Sequence, residues 1–163
     1  MPVDLANRQR KRAVDVRELK RRAEVILEYI GRPRAELSLM LVSDSAIQRL
    51  NHHYRGKGTP TDVLSFSMLE GDMVAGYPGA ELLGDVVISV ETAARQAQLR
   101  DSDLGGVGYT ELDELTFLLI HGVLHLVGYD HENEKDATLM ESEELRIFSQ
   151  FSTLHPRSHH EVV

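Results

Sequence analysis

The chain contains the stretch LDELTFLLIHGVLHLVGYDH at residues 112–131, which is apolar at nearly every position up to Val127. Thr110 and Asp113 supply a helix-capping pair at its start. A helix that is apolar on all sides is buried, so we expect a central core helix over about 110–127. Imidazoles inside such a helix need partners, because an unsatisfied buried polar group costs about 1–3 kcal/mol. The stretch therefore predicts both the core of the fold and a polar site within it.

Three histidines in this stretch have the spacing of a metal site. His121 and His125 are four residues apart, so one helix face carries both rings. Gly128 can adopt the left-handed conformation that ends a helix, which lets the chain bring His131 round as a third ligand. Core histidines satisfied by carbonyls or water are the alternative, but the spacing favours a metal. Three protein ligands leave one tetrahedral position open, as in catalytic zinc sites, although nickel, copper or iron can also bind three imidazoles.

The rest of the chain alternates short strands with amphipathic helices and predicts an α+β domain. A small mixed sheet is expected from residues 36–42, 63–67 and 83–89, with an N-terminal strand as a further candidate. Helices are expected over about 15–31, from Ser43 or Ser45 to Tyr54, over 90–100 and over 134–151, and a turn-rich segment over 69–78. The buried metal-binding helix packed on the sheet makes the expected arrangement zincin-like. We predict a single domain over 1–151 and a polar, disordered tail over 152–163.

Composition restricts the class of protein. The 163 residues include no cysteine, which leaves histidine as the main nitrogen ligand for a metal and excludes thiolate chemistry. The net charge of −8 argues against a protein that coats nucleic acid. Residues 1–34 nevertheless hold ten Lys/Arg against five Asp/Glu, so this segment is either a phosphate-binding face or a solvated helix surface. Neither a signal peptide nor a membrane span is evident, and we expect a cytoplasmic protein.

The histidine spacing resembles the metzincin protease motif, His-Glu-x-x-His-x-x-Gly-x-x-His, except that Gly122 replaces the glutamate. Glycine cannot act as the general base or protonate a leaving amine, which argues against peptide hydrolysis. Cleavage of a phosphodiester by a Lewis-acidic zinc with a cationic helper stays open. Arg55, followed by Gly56 and Lys57, offers donors that match a phosphate, although an ordinary exposed arginine is the alternative.

Three blocks of the chain together resemble the YbeY family of bacterial rRNA maturation endoribonucleases. They are NHHYRGKGTPTDVLSF at 51–66, LGDVVIS at 83–89 and the histidine block at 121–131. The resemblance covers roughly residues 15–150 and leaves the N-terminal arm and the tail outside. Two positions depart from the family pattern, because Gly58 stands where aspartate is common and Ser67 where proline is common. Both departures concern loop shape and lie outside the histidine block.

The resemblance implies a metal-dependent endoribonuclease that is specific for single-stranded RNA and acts in 16S rRNA 3′-end maturation and ribosome quality control. It implies one Zn²⁺ on His121, His125 and His131, and a catalytic role for Arg55 together with these histidines. The implied partners are the 16S rRNA precursor, the small ribosomal subunit, a ribosomal protein near the rRNA 3′ end and an Era-type GTPase, with no membrane partner.

Two alternative functions remain on the sequence alone. One is a zinc metallopeptidase-like hydrolase, and the other is a non-catalytic ribosome-assembly module with a structural zinc. Three ligands argue mildly against the second, because structural zinc sites are usually closed by a fourth protein ligand. Asp130 beside His131 is predicted either to orient a ligand or to shape the turn. Tyr129 is expected to pack, and no site is assigned to the remaining histidines, His52, His53, His155, His159 and His160.

Overall fold

The computed structural model describes residues 3–56, 58, 61–68, 81–154 and 156. The elements are β1 (Val3–Asn7), α1 (Val16–Tyr29), β2 (Ala35–Val42), α2 (Asp44–Arg55), β3 (Val63–Ser67), β4 (Glu81–Ser89), α3 (Val90–Asp103), α4 (Glu111–Leu126) and α5 (Glu134–Phe148). Every predicted helix and strand is present, including the N-terminal strand. Helix α5 ends at Phe148, three residues before the predicted end. Lys57 and the turn-rich segment predicted over 69–78 lie outside the described residues.

The four strands form one mixed sheet in the order β1-β2-β4-β3. Strands β1, β2 and β4 run parallel, and β3 pairs antiparallel with β4. Where β4 passes β3, Gly84 has φ +138°, and a Cβ on it would lie 2.1 Å from the Phe66 carbonyl oxygen. Only glycine accommodates that approach. The prediction of an α+β fold with a small mixed sheet packed on helices is confirmed.

Helix α4 is the centre of the core, as its all-round apolar sequence predicts. It packs against β3 and β4 on one side and against α1, α3 and α5 on the others. Its Glu114 is fully buried and accepts hydrogen bonds from Gln96 Nε2 at 2.7 Å, Arg100 Nε at 2.7 Å and the Tyr109 hydroxyl at 2.8 Å. Burial, and then the charge of Glu114, raise the pKa of Tyr109 above its ordinary value. The polar cluster is therefore satisfied, and it joins α3 to α4.

Helices α2 and α3 begin side by side because the parallel strands β2 and β4 end at the same edge of the sheet. Ser43 caps α2 and Ser89 caps α3 through side-chain oxygens. The Asp44 carboxylate accepts from Ser89 Oγ at 2.5 Å and Thr92 Oγ1 at 2.7 Å, and it pairs with Arg95 at 2.9 Å. Burial alone would raise the pKa of Asp44, but these bonds outweigh it and hold the pKa below its usual value. The network fixes α2, which carries Arg55, relative to α3.

Residues just after the predicted domain end contact the domain. Leu154 packs against the core, and the buried Pro156 accepts a hydrogen bond from Arg100 Nη1 at 2.9 Å through its carbonyl. These residues differ in that respect from the predicted disordered tail, because an apolar side chain and a paired carbonyl hold them in place. The domain boundary at 151 stays a prediction. Within the described part of the chain, no helix is long and apolar enough to cross a membrane.

Candidate metal and phosphate site

The three histidines of the 121–131 block come together at the C-terminal end of α4. The helix ends in a Schellman motif, with Gly128 N–H donating to the His125 carbonyl at 3.1 Å and Tyr129 N–H to the Leu124 carbonyl at 3.0 Å. Gly128 has the positive φ, +104°, that the sequence predicts. The chain then turns back, so that the His131 ring centroid lies 5.3 Å from that of His125 and 6.0 Å from that of His121. The three imidazoles therefore lie close together, and the metal they are expected to bind stays a prediction.

The donor atoms of the first two rings fit a shared ion. His121 Nε2 and His125 Nε2 are 3.1 Å apart, close to the separation of about 3.3 Å between neighbouring nitrogens around a tetrahedral zinc. Burial, and then the neighbouring His121 and His131 rings, lower the pKa of His125, which favours the neutral imidazole that a metal requires. Among the described residues, no group of three or more His, Cys, Asp or Glu side chains is arranged so that it could hold a metal ion. The chemistry of three imidazole donors fits zinc, and His131 is the exposed member of the set.

Glu144 is a site residue that the sequence analysis missed. It lies on α5, is fully buried, and its carboxylate contacts His121 Nδ1. This contact places the neutral imidazole's proton on Nδ1 and leaves the Nε2 lone pair facing His125. A signal was available, because Glu144 falls on the inward apolar stripe of α5 between Met140 and Ile147. A carboxylate on such a stripe needs a polar partner inside the fold.

At Gly122 the sheet lies directly against α4. A Cβ at this position would lie 2.8 Å from Val86 Cγ1 and 3.1 Å from Ser65 Oγ. The Ser65 hydroxyl also donates to the Gly122 carbonyl at 3.1 Å, and Ser67 Oγ donates to the Leu126 carbonyl at 3.4 Å. There is consequently no space for a side chain where the metzincin motif has its glutamate. The absence of a general base next to His121 in the sequence therefore has a structural reason, since a side chain at residue 122 would collide with the sheet.

Arg55 lies in the same cleft as the three histidines. The cleft, of about 380 Å³, is lined by Arg55, Asp62 and Ser65 on one side and by the histidines on the other. Arg55 is the last residue of α2, and Gly56 ends that helix with φ +69°. The exposed guanidinium lies 3.5 Å from the Ser65 carbonyl through Nη2 and is otherwise directed to solvent. A cation and a set of three imidazoles therefore face one solvent-accessible cavity.

The other candidate residues have simpler roles. Asp130 accepts a hydrogen bond from the Glu132 N–H at 3.2 Å, which favours its turn-shaping role. Tyr129 packs against the core, as expected. His52 and His53 are exposed on α2, away from the three rings, and His155, His159 and His160 lie outside the described residues.

Comparison with known proteins gives the family. A family model described as Endoribonuclease YbeY matches residues 4–152. The chain belongs to the YbeY family. The match includes the N-terminal arm from residue 4, which the resemblance had left outside, and the structure gives the reason, because β1 is an edge strand of the sheet.

Individual relatives agree with the YbeY assignment. Endoribonuclease YbeY of Geobacter metallireducens is 44% identical over 151 residues, with 91% of this chain and 95% of the relative covered. The protein of the same name from Syntrophotalea carbinolica is 46% identical over 149 residues, with 90% and 93% covered. A solution structure from Thermotoga maritima matches with a TM-score of 0.56 at 24% identity, covering 98% of this chain and 92% of the other, and supports the fold.

Gly58, one of the two departures from the YbeY pattern, is not required by its surroundings. Gly58 has an ordinary φ, and a Cβ added to it would meet only His52 Nδ1 at 3.6 Å, an ordinary contact. The Gly58 carbonyl accepts from Gln48 Nε2 at 2.8 Å, a bond that any residue could make. A Cβ is therefore tolerated at residue 58, and nothing in the structure explains why this chain has glycine there.

Proposed function

We propose that this chain is an endoribonuclease that cleaves single-stranded RNA at the cleft between Arg55 and the three histidines. The observation that carries the proposal is that Arg55, His121, His125 and His131 line one cavity although they come from separate parts of the chain. Membership of a family whose members are named endoribonucleases supplies the substrate class. A catalytic cation beside a nitrogen donor set is suited to a phosphodiester, whose transition state carries added negative charge.

A zinc ion on His121, His125 and His131 would supply Lewis acidity toward a phosphoryl oxygen or its attacking group. The protein's own residues prepare this chemistry. Glu144 holds the His121 proton on Nδ1, and the lowered pKa of His125 favours its neutral form. The Arg55 guanidinium offers a fork of donors to the nonbridging oxygens, where charge develops. Gly122 leaves no carboxylate next to His121 in the sequence, where the metzincin motif has its general base.

The finer parts of the proposal concern the biological setting. We propose action in 16S rRNA 3′-end maturation and in ribosome quality control, in the cytoplasm. The proposed partners are the 16S rRNA precursor, the small ribosomal subunit with a ribosomal protein near the rRNA 3′ end, and an Era-type GTPase. Family membership is the support for this setting, and the peptidase and structural-zinc alternatives are not favoured by it.

The deciding experiment combines metal analysis of the purified protein with cleavage of a single-stranded RNA. Arg55→Ala and His125→Ala are each expected to lower the cleavage rate about 100- to 1,000-fold, the usual cost of removing a group that stabilises transition-state charge. Arg49→Ala is the matched control, because Arg49 is an exposed arginine on the same helix and does not line the cleft. If the folded Arg55 and His125 variants cut RNA as well as the wild type, the proposal is wrong.

A further inference from the structure

A second basic surface lies outside the cleft, between the loop over residues 8–12 and helix α3. We call it the basic groove. It has a volume of about 340 Å³ and is lined by Lys11, Arg12, Arg95 and Gln98, together with Glu91 and Ala94. Three of the six lining residues are cations, and Gln98 adds an amide donor. The groove therefore presents donors for an anionic ligand in a protein whose net charge is −8.

The loop that forms one wall of the groove is held in a fixed shape. Gln9 is 8% exposed, and its side chain is bonded to Asn7 Oδ1 at 2.9 Å, the Arg12 carbonyl at 2.9 Å and the Arg12 N–H at 3.0 Å. The Arg8 N–H donates to the Leu41 carbonyl at 2.8 Å and ties the loop to the sheet. With Gln9 directed inward, Arg10 and Lys11 are exposed on the outside. The cations are therefore displayed by an ordered backbone, which lowers the entropy cost of binding.

The positive charge that is available to a ligand lies on the loop side of the groove. Lys11, which lines the groove, and Arg10, which precedes it on the loop, have no acidic partner among the described residues. The other two lining cations are paired, Arg12 with Glu111 at 2.5 Å and Arg95 with Asp44 at 2.9 Å. The carboxylate of Glu91, which lines the α3 side of the groove, accepts a hydrogen bond from the Asp44 N–H at 2.8 Å and keeps its negative charge. The alternative is that the loop cations only keep the loop solvated. That alternative explains why they are exposed, but it does not explain why they lie beside a groove on a turn whose backbone is held in place.

The groove adjoins the cleft across a single helix. On one side of α3, Gln96 Nε2 lies 3.4 Å from the Asp62 carboxylate, and Asp62 lines the cleft. Arg95 and Gln98, on the same helix, line the basic groove. An α-helix with its side chains is about 10–12 Å across, so an extended strand leaving the cleft beside Asp62 can reach the groove by passing over α3.

We propose that the basic groove binds the phosphate backbone of single-stranded RNA whose scissile bond lies in the Arg55 and histidine cleft. This inference rests on the proposed endoribonuclease function. The groove has no aromatic side chain on which a base could stack, and we assign its contacts to backbone phosphates. The basic groove would raise the affinity for long RNA substrates, and cleavage would take place in the cleft.

The test measures binding of a long fluorescent single-stranded RNA by anisotropy across a salt series, with a chelator present to suppress cleavage. Each phosphate contact on a single strand contributes about 0.7 to the slope of log K against log salt, so Arg10→Gln/Lys11→Gln should reduce the slope by about 1.4. The matched control is Arg34→Gln/Lys135→Gln, which removes the same charge at exposed positions away from the groove. The control is expected to keep the wild-type slope.

Cleavage assays separate this proposal from that of the cleft. The groove variant should raise KM for a long RNA and leave kcat/KM for a very short oligonucleotide unchanged, whereas Arg55→Ala should lower cleavage of both. A groove variant with the control's slope overturns the basic groove as an RNA site while leaving the nuclease proposal intact. The proposal is also overturned if the wild-type protein does not bind RNA. It is overturned as well if the groove variant binds RNA like the wild type and loses only the binding of a polyglutamate peptide, a second anionic probe.

Discussion

Replacing Glu144 is the most informative perturbation of the site, because this residue acts through His121. The Glu144 side chain is 1% exposed and that of His121 is 21% exposed. Glu144→Ala would leave the His121 Nδ1 proton without its carboxylate and free the ring to rotate or change tautomer. The Nε2 atom would then no longer face His125 in a fixed orientation. We therefore expect the Glu144→Ala variant to bind zinc more weakly than the wild type, although Glu144 is not one of the proposed zinc ligands.

The size of the effect follows from the geometry. Loss of a group that orients a metal-bound histidine lowers metal affinity about 10- to 100-fold, which corresponds to about 1.4–2.7 kcal/mol. Because His121 is partly open to solvent, water can replace some of the lost interaction, and we expect the lower part of this range. Glu144→Gln retains an acceptor oxygen for the Nδ1 proton, so its loss of affinity should be smaller than that of alanine.

Zinc affinity is measured by competition with a chromophoric chelator, and the His121 tautomer by long-range ¹H–¹⁵N correlation of the metal-free protein. Glu143→Ala is the control, because Glu143 neighbours Glu144 on α5 but forms only a surface pair with Arg146 at 2.7 Å. Thermal unfolding of each metal-free variant separates a folding defect from a change at the ring. The reasoning is refuted if folded Glu144→Ala binds zinc like the wild type and keeps the same tautomer.

Three further predictions concern stability. Gly122→Ala should destabilise the fold by about 1–3 kcal/mol in urea denaturation, since its Cβ would meet Val86 Cγ1 at 2.8 Å. Asp44→Ala should cost about 1–2 kcal/mol in the same assay, because the capping hydroxyls of the α2–α3 network lose their acceptor. Glu18 has its pKa lowered to about 2, first by the hydrogen bond from Arg21. Well above pH 4.5, the free energy of unfolding of the wild type, measured by thermal unfolding, should therefore exceed that of Glu18→Gln by at most about 1 kcal/mol. This difference should disappear as the pH falls through about 2.

Features that depend on neighbouring residues were accessible from the sequence. The apolar run over 112–127 predicted a buried helix, and Gly128 predicted the positive φ that turns the chain toward His131. The capping pair Thr110 and Asp113 forms the expected capping box. These predictions succeed because helix periodicity and glycine conformation act within a few residues.

Features that depend on distant contacts were not accessible. The strand order places β4 between β2 and β3, and no local signal specifies that insertion. Arg55 and His121 are 66 positions apart, so their shared cleft depends on how α2 is held against the sheet. Glu144 could be placed on the inner stripe of α5, but its partner could not be named without the packing of α5 on α4.

The close seat of α4 on the sheet at Gly122 has a consequence for engineering. Installing the metzincin glutamate by the single change Gly122→Glu would not create a peptidase, because even the Cβ of the new side chain would lie only 2.8 Å from Val86 Cγ1 and 3.1 Å from Ser65 Oγ. Making room requires the helix and sheet to separate by roughly the thickness of a side chain, which would carry His121 and His125 away from Arg55. Converting this scaffold from phosphodiester to peptide hydrolysis would therefore require a redesign of its backbone, which a point mutation cannot achieve.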